Sequence, residues 1–453
     1  VFHMFHRPNS QRKPRDCAKK DKEFPPSVPL EVIDTEQEGI VFSGEIRDGR
    51  PAIEAGTIEK LVERLTYEKY SDAKFVKAFM VTFYSFSSPY ELLYLLIQRF
   101  SIQCPEWMSK NEKETFERTV KRVVMLRVFN VLKYWLNTAF YDFDEDFALL
   151  SILEEFIDEM NTIENTTYRN VANSLRNYIK RKLANRNREN DDFVSAQPPN
   201  PDIPIAITPQ NKNNILTYSP VEIARQLALI EYSLYNAIRP SECLSQNWIS
   251  LEKERLAPNI LKMVSHFGKI SCWVKSEILK CTDLNQRIQT LKLFIDIAEN
   301  CFKFNNFNAV VEIISGLYSS PIFGLKQTWA GLSKKTISIC EEMHATVESK
   351  NNFKELRREL LRDEPPCIPY LGMYLTDLSL IESDSSSFAG LINFRKCELL
   401  SNVIHELKAY QNTPYVFKEV SIVQDYLNNI VTLEGEDYDK LSLEREPRIP
   451  QNQ

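Results

Sequence analysis

The sequence predicts an all-α protein built as two helical domains, on three observations. Capping signals recur just ahead of apolar runs with helical spacing, and no convincing run of alternating strand-type residues appears. Glycine is scarce: 11 occur in 453 residues, and none lies between Gly56 and Gly268. So long a stretch without the commonest turn residue favours helices and leaves nothing from which a Gly-rich nucleotide loop could be built there. A hydrophobic content of 43% and a charged content of 26% belong to an ordinary globular chain, long enough for two or three domains with buried cores.

Residues 1–39 are polar and punctuated by proline, and are read as a tail. Within it Arg7, Arg12, Lys13, Arg15, Lys19, Lys20 and Lys22 crowd together. A solvated arm is the plain reading, and contact with anionic lipid is the functional alternative. The formal charge of −6 removes any global case for nucleic-acid binding.

The first helical domain is expected over 40–183. Thr57 can cap a helix in which Ile58, Leu61, Val62 and Leu65 share one face. Ser88-Pro89-Tyr90-Glu91 has the form of a capping box with proline at the first helical position, ahead of the apolar run Leu92 to Ile97. Helical periodicity continues through Arg127–Leu136 and Leu149–Ile157 and fades after Leu183. Residues 184–215 then turn to Asn, Asp and Gln with Pro198, Pro199, Pro201, Pro204 and Pro209, a connector that separates domains. The second domain, 216–434, opens on another box, Ser219-Pro220-Val221-Glu222, and on Ile223, Leu227, Ile230 and Leu234 at helical spacing. An acidic polar tail is expected over 435–453.

Catalytic chemistry has no visible carrier. No HExxH, GxxxxGK, GxSxG or kinase-like set occurs, and His3, His6, His266, His344 and His405 form no ligand spacing. His266 and Cys272 are close in sequence, but a Cys/His hydrolase needs a geometry that spacing does not supply. The nine cysteines, from Cys17 to Cys397, include no CxxC pair, so neither a zinc ribbon nor a disulfide framework is expected, and neither is a cofactor. Asp144-Glu145-Asp146 and Glu341-Glu342 read as solvated charges, because adjacent residues diverge around a helix. No apolar run approaches 18 residues, so a cytoplasmic protein is expected, and a first residue of Val rather than Met leaves open that the chain is a fragment.

Two blocks are the most distinctive: Asn305 to Trp329, NNFNAVVEIISGLYSSPIFGLKQTW, and Pro365 to Phe394, PPCIPYLGMYLTDLSLIESDSSSFAGLINF. With SPVEIARQLALIEYSLYNAIRPSECL, NILKMVSHFGKISCWV and YQNTPY, they resemble the catalytic domain of Ras-family guanine-nucleotide exchange factors of the Son of sevenless type. IEAGTIEKLVERLT and FVKAFMVTFYSFSSPYELLYLLIQRF resemble that family's amino-terminal Ras-exchanger motif. The resemblance implies a catalytic helical bowl with a protruding helical hairpin, which displaces switch I of a small GTPase of the Ras, Rap or Ral type. It implies no covalent chemistry and no metal or cofactor of the chain's own. Recruitment to the inner face of the plasma membrane fits such a partner, although no lipid-binding domain is recognisable.

Carried onto this sequence, the resemblance places the first hairpin helix over Tyr370 to Ile381, the turn over Glu382 to Ser386 and the second helix from Phe388 onward. Ser379 and Ile381 become the metal-side and switch-facing positions, and Glu382, Ser383 and Asp384 the tip. The family usually has two acids followed by Gly-Asn there, so the second acid has either slipped to Asp384 or been lost. The switch II groove would draw on Ser319, Ser320, Pro321 and Phe323, and on a helix carrying Ser349, Asn351, Phe353 and Arg357. Tyr370 would lie at the GTPase contact or just beneath it. Leu317, Leu325 and Trp329 are assigned to the core, Asn305-Asn306-Phe307-Asn308 to a helix start and Pro365-Pro366 to a rigid loop. Ser265-His266-Phe267-Gly268 aligns with a contact region, and Leu399 stands where lysine is frequent. The amino-terminal domain is expected to brace the hairpin. A scaffold that docks a GTPase without emptying it, and a helical adaptor with no GTPase partner, are the alternatives.

Overall fold

The computed structural model describes residues 38–47, 50–163, 166–184, 197–203, 208, 211–362, 364–384, 388, 390–433 and 437–447. The basic cluster, Pro204, Pro209, Ser385 and Ser386 lie outside the described residues. The architecture is all-α, organised around two cores. One gathers Leu61, Phe79, Phe83, Trp135, Phe143 and Leu153; the other gathers Leu227, Trp273, Phe294, Phe307, Ile314 and Tyr374.

Local signals explain where many helices start. The Thr57 hydroxyl accepts from the Lys60 amide at 3.3 Å, and helix Ile58–Leu65 buries Leu61, Val62 and Leu65. Ser88 caps helix Pro89–Phe100 by accepting from the Glu91 amide at 3.2 Å, but the Glu91 carboxylate takes a hydrogen bond from the Ser87 hydroxyl and leaves the box open. The box at Ser219 does not form either. Ser219 donates to Asp202 at 2.5 Å, while Glu222, 1% exposed, accepts from the Asp202 amide at 2.8 Å and from Gln226 at 2.7 Å. Both members of that pair thus fasten the end of the connector to helix Pro220–Asn236.

Three short strands depart from the purely helical expectation. Strand β1 (Ile40–Arg47) pairs antiparallel with β2 (Arg50–Gly56), and its register shifts between Val41 and Phe42 and again between Phe42 and Ile46. These irregularities erase the period-two pattern by which a strand is read from sequence. Strand β3 (Ile392–Asn393) adds to β2 through Ala55 opposite Asn393 and Gly56 opposite Ile392. A two-residue strand carries no periodicity at all, yet this one pairs the carboxy-terminal half with the amino-terminal one.

Side chains reinforce that junction. Phe394 and Cys397, on helix Phe394–Ala409, are buried in the amino-terminal core, and the Phe394 ring stacks on Phe75 with centroids 4.4 Å apart. Val81 makes the reciprocal insertion into the carboxy-terminal core. Arg239 spans the junction too, with one guanidinium nitrogen 2.8 Å from Glu145 and its plane 4.5 Å from the Tyr141 ring centre. Glu145 is therefore not merely solvated, and the Arg239 hydrogen bond lowers its carboxyl below the ordinary range. Its neighbour Asp146 caps helix Phe147–Thr162 and accepts from the Tyr90 hydroxyl.

The segment expected as an acidic tail contains helix Asp437–Arg445. Tyr438 belongs to the carboxy-terminal core, Ser442 donates to the Pro321 carbonyl at 2.6 Å, and Glu446 accepts from the Gln327 and Thr328 amides at 2.8 and 2.9 Å. Its carboxylate anchors the segment where acidity alone suggested solvent.

Near the junction Asp142 accepts hydrogen bonds from Tyr84 and Trp135, each at 2.6 Å. Burial nevertheless outweighs them and raises its carboxyl to about 6. A raised carboxyl is protonated in the folded chain while the unfolded chain has already ionised. Stability is therefore expected to fall as pH rises from the ordinary carboxylate range through about 6, by roughly 2–3 kcal/mol from this group. Urea unfolding of the parent and of Asp142→Asn between pH 4 and 7 should show this as a steeper decline in the parent; parallel curves would contradict it.

Candidate functional site

The two distinctive sequence blocks meet in space. Asn306 caps helix Phe307–Leu317 by accepting from the Ala309 amide at 3.1 Å, as its position predicts. The same turn bridges the second block, where the Ile368 amide donates to the Asn305 carbonyl at 2.9 Å and the Asn308 amide to the Ile368 carbonyl at 3.2 Å. Pro369 and Tyr370 then lead into helix Leu371–Glu382.

Tyr370 is the base of that helix. Only 8% exposed, it packs against Phe267 at 5.8 Å and Phe353 at 5.5 Å. Burial pushes its hydroxyl up to about 12. A Cβ at Gly372 would lie 2.3 Å from the Tyr370 oxygen, so glycine is what lets the ring fold back over the first turn. Higher up, Asp377 accepts from Arg357 at 2.7 Å and from the Asn352 amide group at 2.9 Å. Arg357 also donates to the Asn352 carbonyl, locking the helix to the segment beside it.

That neighbouring segment is not the continuous helix expected. Asn351, Asn352 and Phe353 have φ of 50°, 55° and 58°, and this left-handed turn interrupts Lys350–Leu360. Asparagine tolerates the conformation, whereas phenylalanine adopts it only where packing compensates. Phe353 has that packing and is buried, while Ser349 and Asn351 stay exposed. The Ser319 group forms a separate set. Ser319 donates to the Gly316 carbonyl at 2.6 Å, and Ser320 is exposed. Phe323, 47% exposed, stacks on Tyr318 with Lys326 over its face at 4.1 Å. Leu317 and Leu325 are core, as expected, whereas Trp329 is half-buried with its ring nitrogen donating to the Ile322 carbonyl.

At the far end of the helix, Ser379 bonds back to the Leu375 carbonyl at 2.8 Å, Ile381 is half-buried and Leu380 is 61% exposed. Glu382, expected at the tip, is held internally. Its carboxylate accepts from the Ser245 amide at 2.9 Å and lies 3.3 Å from the Lys396 ammonium, and its side chain is only 14% exposed. Lys396 further donates to the Glu382 carbonyl at 2.9 Å and the Asp384 carbonyl at 3.3 Å, holding the carboxy-terminal end of the helix where its dipole is negative. Ser383 and Asp384 remain exposed beyond this clamp, the Ser383 hydroxyl donating to the Leu380 carbonyl.

The second helix begins at Phe394, not at Phe388. Phe388 bridges Leu391, Gly390 turns with φ of 90°, β3 follows, and Asn393 caps the helix by accepting from the Lys396 amide at 2.9 Å. Lys396 lies just past the second distinctive block, and Ser245 carried no sequence signal, because its contact spans 137 positions.

One further polar group was invisible to spacing. His266 and Cys272 sit six positions apart on helix Pro258–Lys280 and diverge, but His266 Nε2 lies 3.5 Å from a Glu231 oxygen. Glu312 is close by, and burial together with the neighbouring Glu231 carboxylate holds its carboxyl well above the usual range.

Residues 52–156 match the RasGEF N-terminal motif and residues 222–398 the RasGEF domain. The chain is 33% identical over 443 residues to Ras guanine nucleotide exchange factor A of Dictyostelium discoideum, covering 94% of this chain and 71% of that protein. It is 29% identical to the protein son of sevenless of Drosophila melanogaster and 34% identical to Ras guanine nucleotide exchange factor P of Dictyostelium discoideum. It spans 26% and 27% of those two longer proteins.

The two acids at the helix end should respond differently to mutation. Asp384→Ala, at an exposed turn, is expected to change stability by less than about 0.5 kcal/mol. Glu382→Ala removes the acceptor of the Ser245 amide and the partner of Lys396, and is expected to destabilise by about 1–2 kcal/mol. Denaturant titration of both variants checks this, and equal midpoints would contradict the clamp.

Proposed function

This chain belongs to the RasGEF family, with the N-terminal motif and the catalytic domain both represented, and on that premise we propose that it promotes GDP release from a Ras-subfamily small GTPase. The single observation that carries this reading is the doubly anchored helix pair 371–409. Its first helix is locked at Tyr370 and Asp377, and its second is set into the amino-terminal core through Phe394. A rigid pair with an exposed end is what a wedge beside switch I requires.

A bound nucleotide is held by a phosphate cradle and Mg²⁺ on the GTPase. An exchanger accelerates release by binding the nucleotide-free arrangement more tightly than the loaded one. Of the two acids at the tip Asp384 is the exposed one and would compete for the cradle's donors, whereas Glu382 serves Ser245 and Lys396. Ser379 and Ile381 would face the Mg²⁺ side and switch I, with the exposed Leu380 adding apolar bulk. The Ser379 hydroxyl is turned to the Leu375 carbonyl and leaves little polarity there for a hydrated ion. Ser320, Phe323, Ser349 and Asn351 supply exposed groups for switch II, and Arg357, Phe353 and Tyr370 shape the floor beneath them.

In this reading the Ras-exchanger motif occupies 40–183 and the catalytic domain 216–434, with helix Asp437–Arg445 completing the latter's core. Among the described residues no helix is long and apolar enough to cross a membrane, and we place the protein in the cytoplasm with its GTPase met at the inner face of the plasma membrane. A docking scaffold that does not empty the GTPase is the second reading, favoured specifically by the internal neutralisation of Glu382.

Mixing the chain with Ras-, Rap- and Ral-type GTPases loaded with fluorescent GDP should accelerate release from at least one of them. Asp384→Ala should slow that release about tenfold, equivalent to about 1.4 kcal/mol of barrier. Binding without release would favour the scaffold, and no binding to any member would overturn both readings.

A further inference from the structure

Beside the hairpin's base lies a polar triangle drawn from three helices. Glu231 on helix Pro220–Asn236, His266 on helix Pro258–Lys280 and Glu312 on helix Phe307–Leu317 each bring one lone-pair atom within 4.8 Å of the others. Both glutamates are 0% exposed, and the His266 side chain is 11% exposed. Asn308, itself 1% exposed, donates its side-chain amide to Glu231 Oε2 at 3.1 Å and to Glu312 Oε1 at 2.7 Å. Among the described residues, the remaining oxygens Glu231 Oε1 and Glu312 Oε2 and the His266 Nε2 find no hydrogen-bond partner outside the triangle.

Two carboxyl groups and an imidazole converging in an apolar interior are costly unless a proton or a cation completes them. A buried polar atom left unpaired costs about 1–3 kcal/mol, and a buried charge more. Something positive has to complete the triangle: either a proton, which Glu312 beside Glu231 is disposed to hold, or a metal ion. A proton shared between His266 and Glu231 would draw them to about 2.7–2.9 Å, well inside the 3.5 Å observed. That separation is instead close to the edge of a tetrahedron of metal–ligand bonds of about 2.0–2.1 Å, which is about 3.4 Å. The donor types agree. An imidazole with two carboxylates suits zinc and its neighbours, whereas calcium and magnesium prefer oxygen alone. Asn308, bonded to the far oxygen of each carboxylate, orients both ligands from behind, as outer partners do around a metal.

We propose that Glu231, His266 and Glu312 form a binding site for one divalent transition-metal ion of the zinc class. Such an ion would staple three helices of the carboxy-terminal core. It would do so directly under the hairpin, because Phe267, next to His266, packs on Tyr370 at the first turn of helix Leu371–Glu382. The proposal does not depend on exchange activity.

Its test is metal titration of the full chain after treatment with chelator. The expected result is saturation at one Zn²⁺ per chain with a rise in melting temperature of several degrees. His266→Ala and the near-isosteric Glu312→Gln should each lose at least about tenfold in zinc affinity, and the rise with it. X-ray absorption of the zinc-loaded parent, which needs no variant, should show a first shell of nitrogen and oxygen only. Absence of saturable binding, undiminished affinity in folded His266→Ala, or sulfur in the first shell would each overturn the site, the last by transferring the metal to cysteine.

Discussion

Everything about the candidate site depends on how the second arm of the hairpin is fastened. Immediately before that arm, Ile392 and Asn393 pair with Gly56 and Ala55, and immediately after them Phe394 enters the amino-terminal core against Phe75. Burying such a ring contributes about 1.5–3 kcal/mol, and its stacking about 0.5–1.5 kcal/mol more. Backbone pairing fixes direction and register, and the ring fixes depth. Together they make the amino-terminal body a structural part of the hairpin rather than a tethered neighbour.

The first arm is held by different physics. Its base is apolar, through Tyr370, Phe267 and Phe353, while its flank is ionic, through Arg357 and Asp377. Its end is fixed by Lys396, which collects the last carbonyls of one arm while standing on the other. The Glu382 carboxylate balances that ammonium and reaches the Ser245 amide, so the acid nearest the helix end serves rigidity. Asp384 is left as the tip's exposed acid. In the exchange role proposed above a wedge that bends would lose force, and the Glu382 clamp resists that bending.

Much of this was legible in the sequence, and the rest was not for physical reasons. Local rules located Thr57, Ser88 and Asn306 as helix caps and Leu317 and Leu325 as core, because each signal is complete within a few residues. Strands β1 and β2 escaped because register shifts destroyed their alternation, and β3 because it is two residues long. The Ser219 box failed because Asp202, on the connector, offered both partners a better bond. The internal partners of Glu382, and the start of the second helix at Phe394 rather than Phe388, escaped because both are decided by contacts distant in sequence. The triangle of Glu231, His266 and Glu312 is the extreme case, drawn from three helices with no spacing to announce it.

The claim that the amino-terminal body holds the hairpin can be tested on the hairpin itself. Amide hydrogen exchange of residues 371–382 should be compared between the parent chain and Phe75→Ala, with amides around Trp273 as an internal reference for the carboxy-terminal core. If the stack against Phe394 is the fastening described, exchange in the first hairpin helix should accelerate at least about tenfold, the equivalent of about 1.4 kcal/mol, while the reference stays protected. Unchanged protection of residues 371–382 in Phe75→Ala would show that the hairpin stands without the amino-terminal body and would contradict the account.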